Sequence, residues 1–319
     1  MEYVIKIIRA LSGLGAMLMG LRMVSSVLNR NADKYLKDIL KKIDSPLSGV
    51  LIGAATTAMV QSSSATTLMA MSMADTGLIT LRLATLFIMG ANVGTTVTGM
   101  IMGLSGTEFT SVFTICTLVG VALTSGGKKK LSVVGEILSG LGLVFLGLEI
   151  MGDGLDFVVQ NSLVSDFLKT TENMPLMLLL AGALITALVQ SSTAVTGVTI
   201  TMSGSGALPF SSGLYVILGA NIGSCVTAMI AAIGGGVGLK RTALINLIFN
   251  LLGTVVAFPF LILFGEEISS ALLSLSGGLP RVATALFHVV FNVLSVIILA
   301  PFTGLQVRLA TTLVPDKNN

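Results

Sequence analysis

The sequence predicts an all-α polytopic membrane protein built from two inverted-topology repeats, each with a re-entrant helical hairpin. Three observations predict it: the composition, an internal repeat, and the placement of Lys and Arg. Of 319 residues, 53% are hydrophobic and 10% charged, whereas soluble domains carry about 25% charged residues. Glycine stands at 36 positions, as suits helices packed closely in lipid. The net charge is +3 and no basic tract is long, which excludes a nucleic-acid binder. Cys116 and Cys225 lie in apolar runs and cannot form a disulfide framework or a four-ligand metal site.

The first apolar segment spans 4–27. Lys6 and Arg9 precede it as in a signal peptide, but Arg22 interrupts it and a counterpart follows later, so it is expected to belong to the mature fold. The run Asp33–Asp44 alternates charge and reads as a solvated interfacial helix. Further apolar segments cover 46–75, 79–103, 109–124, 131–155, 174–203, 207–233, 242–264 and 283–308. An offset of 129 residues lays 46–101 on 175–230, with 24 identities in 56 positions. Within that match GAATTAMVQSS (Gly53–Ser63) falls on GALITALVQSS (Gly182–Ser192), and GANVG (Gly90–Gly94) on GANIG (Gly219–Gly223). A related offset of 127 lays Leu14–Leu21 on Leu141–Leu148. Near the end, Thr242-Ala243-Leu244 and Phe249-Asn250 recur 42 residues later as Thr284-Ala285-Leu286 and Phe291-Asn292. The expected units are therefore 1–128, 129–265, and an additional C-terminal helix and tail over 266–319.

Segments 46–75 and 174–203 carry Gln-Ser-Ser-Ser/Thr at their centres. Polar groups at that depth must face protein or water. Each segment either spans or turns back as two half-helices, and each half is roughly 22 Å against an apolar core of ~30 Å. The charges decide. With hairpins, one side holds Arg30, Lys34, Lys37, Lys41, Lys42, Arg82, Lys128, Lys129, Lys130, Lys240, Arg241, Arg308 and Lys317, and the other holds Lys6, Arg9, Lys169 and Arg281. That split is 13 to 4; spanning segments reduce it to 10 against 7. The positive-inside rule favours hairpins, with about seven full crossings besides. It also puts the N-terminus outside and the C-terminus in the cytoplasm of a cell (inner) membrane. Three crossings per unit invert the second copy, an architecture of secondary transporters.

The polar residues are Gln61, Ser62, Ser63, Ser64, Thr66, Thr67, Asn92, Thr95, Thr96 and Thr98 in the first copy. In the second they are Gln190, Ser191, Ser192, Thr193, Thr196, Asn221, Ser224 and Thr227. Hydroxyl and amide oxygens suit Na⁺, and hydroxyls with backbone N–H groups at a half-helix start suit an oxyanion. No charged residue lies between Met174 and Leu239, so an anion at the midplane would need cations bound with it. Against this, Ser and Thr in membrane helices often only bond the preceding turn or join helices. Gly90 and Gly219 fit either binding or plain packing. Arg22 and Glu149 are equivalent under the 127 offset, and a structural ion pair across a pseudo-two-fold is expected of them. His288 is expected to be a hydrogen-bonded helix residue and not a proton relay, since its counterpart Asn246 cannot titrate.

The doubled QSSSATT (Gln61–Thr67) and QSSTAVT (Gln190–Thr196), with GANVGTT, GANIGSC and the FN-bearing helices, resemble the type II sodium-phosphate cotransporter family over nearly the whole chain. The doubled motif is specific where a single copy would not be. The resemblance implies Na⁺-driven symport of inorganic phosphate, with no cofactor besides Na⁺ as coupling ion. It implies phosphate at Ser62, Ser63, Ser64, Ser191, Ser192 and Thr193. It implies Na⁺ at Gln61, Gln190, Thr66, Thr67, Thr196, Asn92, Thr95, Asn221 and Ser224. Electrogenic animal members carry an acid in the helix after the first GAN block; here Thr114-Ile115-Cys116-Thr117-Leu118 has none, so no Na⁺:phosphate ratio carries over. The form expected is the compact bacterial one, without a C-terminal regulatory domain. Rival readings are a Na⁺-coupled carrier of another small oxyanion, a passive channel, and a serine-dependent intramembrane enzyme. The last has no Gly-x-Ser-x-Gly to support it.

Overall fold

The computed structural model describes residues 2–40, 45–106, 109–125, 129–160, 170 and 174–315. The helices are α1 (Glu2–Leu40), α2 (Pro46–Val60), α3 (Ser63–Asp75), α4 (Leu81–Gly103), α5 (Phe109–Ser125) and α6 (Lys129–Gln160). They continue as α7 (Pro175–Val189), α8 (Ser192–Ser205), α9 (Phe210–Ala231), α10 (Val237–Leu275), α11 (Pro280–Leu299) and α12 (Thr303–Leu313). Among the described residues, six stretches are long and apolar enough to cross a bilayer: Val4–Leu28, Leu81–Gly103, Lys130–Leu155, Phe210–Ala231, Val237–Leu275 and Pro280–Leu313. The protein is an all-α, multi-pass membrane protein. The expected seventh crossing, α5, has 17 residues. That is about 25 Å of helix, and residues 107–108 and 126–128 beside it lie outside the described residues. Residues 33–40 of the charged run continue α1 and form no separate interfacial helix; 41–44 lie outside the description.

Half-helices α2, α3, α7 and α8 have 15, 13, 15 and 14 residues. At 1.5 Å per residue each is roughly 20 Å, too short to span. The packing against α4 shows that the chain turns back. A side chain on Gly53 would strike the Phe87 backbone, one on Gly90 the Val50 carbonyl, and one on Gly94 the Ala54 carbonyl. From Gly90 on Val50 and Ala54 to Gly94 on Ala54 and Thr57 both numbers rise by one turn, so the two run parallel. A short turn over 76–80 joins α3 to α4. Had α3 continued α2 straight on, α4 would return antiparallel to α2. The second copy repeats the register: Gly182 meets Val216, Gly219 meets Leu179, and Gly223 meets Ala183. Gly90 and Gly219 are thus close-approach glycines, placed where two backbones touch.

The pair α1 and α6 shows how the copies relate. Gly13 packs on Gly147 and Met151, and Gly20 on Gly140 and Val144, so these helices run antiparallel. Gly13 and Gly20 are equivalent to Gly140 and Gly147, so each contact recurs with the copies exchanged, as an approximate two-fold requires. The axis passes near Met17 and Val144. This corrects the expected pairing of Arg22 with Glu149. Both are exposed and neither bonds the other. A two-fold joins equivalent residues only beside its axis. Arg22 and Glu149 lie on opposite sides of it, about 15 Å apart along the helices at 1.5 Å per residue. Among the described residues, Arg30 pairs with Glu136 between these helices.

The helix ends sort into two faces. At one, Asp75 Oδ1 accepts from the Leu239 N–H at 3.2 Å, and Arg241 Nε donates to the Val314 carbonyl at 2.9 Å. At the other, Arg281 packs over Gly106, Gly152 and Gly204, while Gly154 meets Ala10. Lys41, Lys42, Lys128, Lys169 and Lys317 from the charge count lie outside the described residues. Helix α10 packs on α3 and α9, and α11 on α8 and α4, so the two occupy matching places, one beside each hairpin. Helix α10 loses helical geometry at Phe264, five residues past Pro259.

Alanine at Gly90 or Gly219 must push two backbones apart, and each variant is expected to lose about 2–3 kcal/mol of stability. Gly15→Ala, which meets nothing within 4 Å, is expected to stay within about 0.5 kcal/mol of the parent. Thermal denaturation in detergent measures both.

Candidate functional site

Both hairpin tips have one geometry. Gln61 ends α2 at φ 55°, ψ 28°, and Gln190 ends α7 at φ 55°, ψ 29°. Among the described residues these are the non-glycine positions with positive φ. A left-handed residue with a Cβ costs about 1–2 kcal/mol, so the surroundings impose it. The Gln61 N–H donates to the Thr57 carbonyl at 2.7 Å, and the Gln190 N–H to that of Thr186 at 2.8 Å. Ser62 and Ser191 then turn to extended backbone and start the next helix. Each Oγ accepts from a backbone N–H, of Ala65 and of Ala194, both at 3.2 Å. Two residues therefore close one helix and open the next.

This assigns Ser62 and Ser191 a task that the motif did not reveal. Their side chains are N-caps. The N–H groups of Ser63 and Ser64, and of Ser192 and Thr193, stand in the first turns of α3 and α8, where no intrahelical acceptor exists. Those donors, with the helix dipole, face an incoming anion favourably.

A small polar cavity lies beside the first tip. Ser63, Ser64 and Thr67 of α3, Asn92 of α4, Ser224 and Ala228 of α9, and Asn246 of α10 line it. Its volume is about 10 Å³, the size of one water, so the site is shut around any larger ligand. Five predicted residues meet there: Ser63, Ser64, Thr67, Asn92 and Ser224. They come from both copies. Asn92 Nδ2 donates to the Ile88 carbonyl at 3.0 Å, which leaves its Oδ1 for a ligand. Ser224 Oγ donates to the Asn221 carbonyl at 2.7 Å and keeps lone pairs to offer. No charged side chain lines the cavity.

The other predicted residues lie elsewhere. Gln61 is half-buried at its tip and Gln190 exposed at the other. Thr66 and Thr95 donate to the carbonyls of Ser62 and Ala91, the helix bonding that Ser and Thr commonly make. Asn221 Nδ2 donates to the Ile217 carbonyl at 2.8 Å, as Asn92 does in the first copy. Ser192, Thr193 and Thr196 hold the matching positions in the second hairpin. Sequence reasoning missed Asn246 as a lining residue. The available signal was a second buried asparagine one turn before Asn250, whose amide donates to it. A larger cleft of about 290 Å³ between α10 and α11 is walled by Phe260, Phe287, Phe291 and aliphatic side chains. It offers little beyond the Ser295 hydroxyl and cannot hold an ion.

The Na⁺/Pi-cotransporter family model matches the chain twice, over residues 16–153 and 147–279. The chain belongs to the Na⁺/Pi-cotransporter family. Membership retires the intramembrane enzyme, because the family is one of transporters. YqeW of Bacillus subtilis strain 168 is 28% identical over 228 residues, 72% of this chain and 73% of that one. An Escherichia coli K12 relative, named "Putative inorganic phosphate export protein YjbB", is 26% identical over 262 residues, 82% of this chain and 48% of its own length. The chain thus spans about half of that relative. Human sodium-dependent phosphate transport protein 2B is 40% identical over 62 residues, 19% of this chain and 9% of the human one. No solved structure matches the chain.

Removing a cap leaves a helix start unsatisfied at membrane depth. Ser62→Ala and Ser191→Ala are each expected to cost about 0.5–2 kcal/mol, and Ser62→Thr or Ser191→Thr to keep most of the cap. Melting temperatures of the purified variants decide.

Proposed function

We propose that the protein is a Na⁺-coupled symporter of inorganic phosphate that works by alternating access at a site between its two hairpins. The observation that supports this most is the polar cavity shared by both copies, lined by neutral oxygen and amide groups at the tip of a broken helix. Neutral oxygens favour a hard monovalent cation. The free N–H groups at the starts of α3 and α8 favour an anion. Neither copy brings a lysine or arginine to the tips, so Na⁺ is the charge that allows phosphate to enter a low-dielectric site.

In this reading Ser63, Ser64, Ser192 and Thr193 hold phosphate through hydroxyls and backbone N–H groups, with Ser62 and Ser191 shaping the helix starts. Gln61, Gln190, Thr66, Thr67, Thr196, Asn92, Thr95, Asn221 and Ser224 supply Na⁺ ligands. The approximate two-fold gives the two hairpins opposite openings, as alternating access requires. The name of the E. coli relative favours a second reading, in which net flux is outward. A symporter runs in either direction, so that reading changes the driving gradient and leaves the site unaltered.

Replacing Na⁺ by choline is expected to abolish uptake of labelled phosphate into proteoliposomes. Undiminished uptake under a proton gradient alone would refute Na⁺ coupling. Orientation is part of the proposal: the basic face, with Arg82, Lys130 and Lys240, is cytoplasmic. A Lys130→Cys variant is expected to resist an impermeant maleimide in intact cells and to react after lysis; labelling in intact cells reverses the assignment.

A further inference from the structure

The repeat gives each polar residue of the first cavity a mate. The 129-residue offset maps Thr67 to Thr196 and Ala228 to Gly99, and the 42-residue echo maps Asn246 to His288. The mates also meet. A methyl group on Gly99 would stand 3.2 Å from His288 Nδ1 and 3.7 Å from Thr196 Cγ2. Thus α4, α8 and α11 converge beside the second tip as α9, α3 and α10 converge beside the first. His288 is 3% exposed, and its Nδ1 has no hydrogen-bond partner. A buried polar atom without a protein partner is costly, and a water or a ligand is what satisfies it. The glycine explains how the ring fits. Where the first place pairs Ala228 with an asparagine, the second gives up the side chain at Gly99 and holds a larger imidazole.

We propose that His288 lines a second polar half-site, with Ser192, Thr193, Thr196, Thr95 and Asn221, and that its ring nitrogen selects phosphate over sulfate. The inference rests on the phosphate reading above. A neutral imidazole carries one N–H donor and one bare nitrogen that only accepts. Phosphate near neutral pH keeps a P–O–H proton; sulfate keeps none. Hydroxyls and backbone N–H groups donate to either anion and discriminate weakly. A bare nitrogen takes the phosphate proton in a hydrogen bond and meets sulfate with lone pair against lone pair. Sites built to pair a ligand's O–H reject the analogue without it far more strongly than shape alone allows. Imidazole nitrogen is also a poor ligand for a hard cation, which prefers oxygen. The His288 ring therefore serves the anion, beside the oxygen groups that serve the cation.

Calorimetric titration of the purified protein in NaCl, with inorganic phosphate and separately with sulfate, tests this. The parent is expected to prefer phosphate. His288→Ala and His288→Phe, the latter keeping a ring without nitrogen, are expected to reduce the phosphate-to-sulfate preference by about tenfold or more. The double variant Gly99→Ala, His288→Asn copies the Ala228–Asn246 pair and keeps an amide acceptor. It is expected to fold and to retain most of the preference, which covers the case in which both single variants fail to fold. A double variant that folds and loses the preference overturns the role of an acceptor at this place. A parent that binds phosphate selectively, with His288→Phe equally selective, overturns the role of His288 and leaves the phosphate reading intact. Equal weakening of both anions means the ring is structural and overturns it too. A parent that binds no phosphate overturns both readings together.

Discussion

A helix that stops inside an apolar layer must satisfy its end groups there, and that constraint governs this structure. Water cannot do it, so the chain brings its own partners. At each tip a glutamine in left-handed geometry returns its N–H to the helix it ends, and a serine caps the helix that follows. Only the first-turn N–H groups beyond the cap are left over. In the proposed function, anion affinity is thus a residue of incomplete capping.

The constraint reaches outward. Half-helices too short to span cannot be positioned by the bilayer, so a full-length neighbour must hold them. Helices α4 and α9 do this through glycines that let carbonyl oxygens approach where a side chain would stand. The same helices carry Asn92 and Ser224 to the cavity, so the contact that holds a hairpin also sets the distance between its tip and those side chains. The exposed apolar faces of α1, α5 and α10 are left to lipid.

Much of this was legible in the residues. The doubled QSS motif located both tips, and the Lys and Arg count preferred hairpins on grounds independent of geometry. What was not legible has physical causes. Ser62 and Ser64 look alike in a motif, yet one Oγ is spent on a cap and the other faces a cavity; helix phase after a break decides, and that needs the backbone. Arg22 and Glu149 are truly equivalent, but equivalence under a two-fold is not proximity. Asn246 was hidden because a mid-helix asparagine announces only that it needs a partner, and not which space it faces.

Near-identity of the two tips has an energetic consequence for the proposed carrier. Exchange the shapes of the two copies, and the molecule regains the same tips and nearly the same contacts while opening to the opposite side. Two such states are close to degenerate by construction. Their populations then hang on places where the copies differ, among them Asp75 against Gly204, Ala228 against Gly99 and Asn246 against His288. A bias of about 1.4 kcal/mol among them shifts the resting orientation tenfold. Symmetry makes the turnover easy, and its small defects decide on which side the empty protein waits.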